Sequence, residues 1–106
     1  MMDNWKSGRS DERNDADWVA LYEVPERGSF RNPVQDLSVG GTFLRTSKPM
    51  APGTYFDVVL VSREDAKYVR VPAQVVWRGR KDRHRGMGVK FAHSRASIRE
   101  MRSLFT

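Results

Sequence analysis

Cysteine is absent from the 106 residues. That excludes a disulfide framework, a cysteine nucleophile and a thiolate metal site. No apolar run approaches the roughly 18 residues that cross a bilayer, so no membrane span is expected. The opening stretch MMDNWKSGRSDERNDAD lacks the apolar core of a secretory signal, and a cytoplasmic location is the expectation. Internal repeats and low-complexity tracts are missing too. His84 and His93 have no neighbours at metal-ligand spacing, so neither a metal nor a cofactor is expected. There is no nucleophile elbow, no phosphate-binding glycine loop and no carboxylate pair in a catalytic setting. The chain therefore does not read as an enzyme.

What is present suits one small globular domain, with 39% hydrophobic and 30% charged residues. Nineteen basic residues against thirteen acidic ones give a net charge of +6, a balance that draws anionic partners. The excess is uneven. Residues 1–31 hold five basic and seven acidic residues, whereas RGRKDRHR (78–85) holds five basic residues and one Asp.

Hydropathy divides the chain into a polar N-terminal segment, 1–16, expected to be flexible unless bound, and a domain over 17–106. WVALYEV (18–24) is β-branched and aromatic and predicts a strand, ended by a turn at PERGS. FRNPVQDLSV (30–39) reads as a broken extended segment, with Pro33 at an edge or bulge. TFLRT (42–46) and TYFDVVLVS (54–62) predict two more strands around a Pro/Gly loop. The second of these places Phe56, Val58 and Leu60 on one face and Tyr55, Asp57, Val59 and Val61 on the other. KYVRVPAQVVW (67–77) alternates most cleanly, which puts Val69, Val71, Ala73, Val75 and Trp77 on the core face. Trp18 also reads as core, and Trp5 as an anchor in the N-terminal segment. The basic stretch 78–85 reads as a solvated hairpin loop, followed by a last strand in GMGVKFAH (86–93). Ile98, Met101, Leu104 and Phe105 then fall at helical spacing behind Ser94, a good cap. About six short strands and a terminal helix suggest a small barrel or sandwich.

DLSVGG (36–41) fits Asp/Asn-x-Ser-x-x-Gly through Asp36, Ser38 and Gly41. It lies between extended segments and precedes TFLRT, a Pro/Gly loop, a strand ending QVVW, and GMGVKF before a helix. In that order, over about residues 9–105, the chain resembles the PilZ domain, a family of bacterial receptors for cyclic di-GMP. The resemblance implies an all-β fold, a six-stranded antiparallel β-barrel with a C-terminal α-helix. The family also carries Arg-x-x-x-Arg some twenty residues before this motif. Arg9 and Arg13 stand at that spacing, as do the pairs 27/31 and 95/99, and position in the chain favours Arg9 and Arg13.

The residue types match the ligand that the resemblance implies. Guanidinium groups pair in bidentate fashion with phosphate oxygens or the guanine O6/N7 edge. The Asp36 carboxylate can accept from guanine N–H groups, the Ser38 hydroxyl can reach base or phosphate, and Gly41 clears space for close approach. The implied function is a non-enzymatic receptor whose N-terminal arginines close over the nucleotide and alter contacts with a protein partner, in motility, adhesion or polysaccharide output. Asp11, Glu12, Asp15 and Asp17 surround the two arginines. They motivate the alternative of a PilZ-like adaptor that works through protein contacts without the nucleotide. A nucleic-acid-binding barrel ranks last, because no exposed aromatic platform is apparent.

Overall fold

The computed structural model describes residues 18–64 and 66–104. The strands are β1 (Trp18–Val24), β2 (Gly28–Gln35), β3 (Gly41–Arg45), β4 (Tyr55–Ser62), β5 (Tyr68–Lys81) and β6 (His84–Phe91), followed by the helix α1 (Arg95–Ser103). All pairings are antiparallel, and the sheet closes as a barrel in the order β1-β2-β3-β6-β5-β4. This is the expected fold class. The division at residue 16 and the positions of Trp5 and Phe105 lie outside the described residues.

Alternation builds the core. Val58 and Leu60 of β4 and Val69, Val71, Ala73 and Val75 of β5 are all buried, with Trp18, Ala20 and Tyr22 of β1 beside them. The helix closes this core with Met101 and Leu104 and packs against β5. Its start is a capping box. The Ser97 N–H donates to Ser94 Oγ (3.1 Å), and the Ser94 N–H donates to Ser97 Oγ (2.9 Å).

Three expectations need correction. The segment around Pro33 is a continuous strand up to Gln35 rather than a broken one, although Pro33 does stand at an edge position, where β2 has no β3 partner. β2 pairs with β1 along most of its length but with β3 only at Val34 and Gln35. Pro33 stands outside that short ladder, so its missing N–H removes nothing from it. Trp77 is not core. A β-bulge between Val75 and Trp77 adds a residue to β5, which shifts the alternation and leaves the indole 39% exposed. The stretch 78–85 is mostly paired strand. Lys81 pairs with His84 across a two-residue turn, in which Asp82 and Arg83 both have positive φ, 50° and 74°. That is the backbone a tight hairpin demands.

Candidate functional site

The loop from β2 to β3 holds Asp36, Ser38 and Gly41 together through its own hydrogen bonds. Asp36 takes a left-handed conformation, φ 56°, which Asp tolerates better than most residues. Ser38 Oγ accepts from the N–H groups of Gly40 (3.2 Å) and Gly41 (3.3 Å), while the Ser38 N–H donates to the Gly41 carbonyl (2.9 Å). Ser38 is therefore a turn-forming residue as well as a candidate ligand contact. Gly41 answers to its neighbour strand. A Cβ there would collide with the Val89 carbonyl oxygen and come within 3.2 Å of Lys90 Cα.

The outer half of β5 and β6 forms an arm that reaches back to this loop. Lys81 Nζ lies 2.5 Å from the Asp36 carboxylate, with both side chains part-exposed. Gln35 Nε2 donates to Asp82 in the arm's turn (2.8 Å), and Gln35 Oε1 accepts from Arg45 Nε (3.1 Å). Trp77 lies on the same face of the arm, stacked on Phe43 with ring centres 5.3 Å apart and planes 26° from parallel. Gly88 makes this seat possible, because a Cβ there would occupy the indole's place. The result is a depression of about 190 Å³ in which Asp36, Ser38 and Gly41 meet Trp77 and Lys81.

The loop is also tied to the helix. His93 Nε2 lies 2.6 Å from the Val39 carbonyl, inside the motif, and Nδ1 lies 3.0 Å from Ser97 Oγ. A carbonyl only accepts, so Nε2 donates to it. Among the described residues no three His, Cys, Asp or Glu side chains gather as a metal site.

The structure thus brings together three of the five candidate residues. Arg9 and Arg13 lie outside the described residues. Trp77, Lys81 and Gln35 were not singled out from sequence as part of the site. The arm that carries two of them meets Asp36 only after the bulge and turn have placed it.

Comparison with known proteins agrees with this architecture. No curated protein sequence matches the chain. A solved structure described as the PilZ domain with cyclic di-GMP of YcgR from Escherichia coli superposes with a TM-score of 0.64 at 19% identity, covering 83% of this chain and 79% of that one. The family model for the PilZ domain matches residues 9–105, the span that holds the six described strands, the helix and both sequence motifs. On that match the chain belongs to the PilZ domain family.

Proposed function

We propose that this chain is a non-enzymatic receptor for cyclic di-GMP. The observation that carries this reading is the meeting, in one depression, of the motif residues Asp36, Ser38 and Gly41 with the part-exposed indole of Trp77. A guanine edge donates N1–H and N2–H₂ to the Asp36 carboxylate, and its ring stacks on Trp77. Such stacking contributes about 1–3 kcal/mol per base. Lys81 leaves the carboxylate as the base arrives and becomes a counter-charge for phosphate. The depression of about 190 Å³ is smaller than the ~300–1,000 Å³ of most ligand pockets. Arg9 and Arg13 supply the missing wall by closing over the phosphates. The closed segment then presents a changed surface to a protein partner, with output in motility, adhesion or polysaccharide.

The test is isothermal titration of the full chain with cyclic di-GMP. Saturable binding at micromolar concentration or below is expected, lost in Asp36→Ala and in Arg9→Ala/Arg13→Ala, with thermal melts to check folding. Binding that survives the double arginine variant moves the phosphate contacts to Arg27, Arg31 or the arm. Absence of binding in the wild type overturns the reading. One observation favours a second reading, a protein-contact module without nucleotide: Lys81 already neutralises Asp36. A partner pull-down that is unchanged by Asp36→Ala and Arg13→Ala, together with no titration heat, supports it.

A further inference from the structure

We propose a second ligand site on this chain, a basic notch in the barrel wall that takes a small molecule bearing adjacent phosphates. The notch follows from strand lengths. β3 has five residues, whereas β2 has eight and β5 fourteen. The β3–β6 ladder ends at Arg45 and Gly86, and β2 pairs with β3 only at Val34 and Gln35. Beyond Arg45, the first half of β2 and the β5–β6 arm therefore run on with no strand between them. The chain crosses this gap as the Ser47–Pro49 loop, pinned by the Thr46 N–H donating to the Arg85 carbonyl at 2.9 Å. What remains is a cavity of about 770 Å³, within the usual range for small-molecule sites. It shares no lining residue with the depression at Asp36.

Its lining is one-sided. Arg27 comes from the β1–β2 turn, Lys48 from the loop, and Arg78 and Arg85 from facing strands of the arm, with Phe30 alongside. No carboxylate lines it. Among the described residues, none of these four cationic side chains has an ion-pair or hydrogen-bond partner. Four like charges around one concavity repel one another, and an anion between them relieves that. Arg78 and Arg85 project from paired strands, so their starting positions are fixed before a ligand arrives. Guanidinium forks match phosphate oxygens in bidentate geometry. Three guanidiniums and an ammonium call for several negative charges close together, which a run of phosphates provides. Phe30 is half-buried and stacked on Tyr22 with ring centres 5.5 Å apart, which gives the notch an apolar wall suited to a nucleoside. The two sources of this chemistry are an inorganic polyphosphate and a nucleoside triphosphate.

The experiment is calorimetric titration of the full chain with inorganic tripolyphosphate and, separately, with ATP and GTP, at near-physiological salt. One saturable site is expected, weakened about ten-fold by each of Arg78→Gln and Arg85→Gln. It should be unchanged in Ser38→Ala, whose side chain lines the other depression, and thermal melts establish that each variant is folded. Tighter binding of a nucleotide than of tripolyphosphate, with the difference removed by Phe30→Leu, identifies the nucleoside source. Equal binding identifies the inorganic one. Titration that never saturates, or that is undiminished in both arginine variants, overturns the proposal. Displacement of bound cyclic di-GMP by tripolyphosphate would also overturn it, by merging the two sites. Absence of cyclic di-GMP binding leaves this result standing.

Discussion

Tyr22 brings a hydroxyl into the barrel, where it donates to the buried Asn32 side chain. Burial raises its pKa above the ordinary 10.0, and a hydrogen bond with Thr46 opposes the shift. The folded chain thus holds this proton more tightly than the unfolded one. The stability linked to it is intact below pH 10 and is lost as the pH rises past 10 through the higher folded value. Tyr22→Phe should flatten the alkaline fall in melting temperature. At neutral pH it should cost about 1–3 kcal/mol, because Asn32 is left without its donor. Melts across pH read both effects. Two glycines make a contrast at the same scale. Gly41→Ala meets β6 backbone and should cost about 1–3 kcal/mol in chemical denaturation. Gly88→Ala meets the Trp77 ring first, and a side chain can move where backbone cannot. This substitution should change indole fluorescence with much less loss of stability.

The helix is held at its N-terminus by Ser94 and Ser97, and through His93 to the motif loop. Ser94→Ala should cost about 1 kcal/mol, read by denaturation. Most elements of this fold are legible in the sequence for such local reasons. Strand alternation marks β4 and the first half of β5, and the Ser94 cap with its apolar stripe marks α1. The motif residues Asp36, Ser38 and Gly41 are legible as well, since they sit on one loop. The bulge at Val75–Trp77 is not, because one inserted residue changes the facing of everything after it without changing any residue type. The arm reads as loop because charge signals solvent, and its turn contains no glycine although Asp82 and Arg83 both have positive φ. Gln35 and Asp82 are 47 residues apart, so their hydrogen bond leaves no mark on local pattern.

At the scale of the molecule, two concave sites flank one arm. Alternation gives the arm two faces: Trp77, Gly79 and Lys81 on one, Arg78 and Arg80 on the other. The first faces the Asp36 depression, and Arg78 lines the notch. A single hairpin therefore separates the depression at Asp36 and Trp77 from a notch whose charged lining is wholly basic. The same arm and β2 also leave barrel backbone without a neighbouring strand. β2 before Val34 has no β3 partner, and β5 past Val75 has no β4 partner. β1 past Leu21 and β4 before Val59 part as well, where their ladder ends. At the first two openings stand Arg31 and Pro33 on β2, and the bulge, Arg78, Arg80 and Lys81 on β5. Charge, proline and a bulge are the features that discourage templated strand addition. Arg78 thus both lines the notch and stands where a strand from another copy of the chain would have to pair.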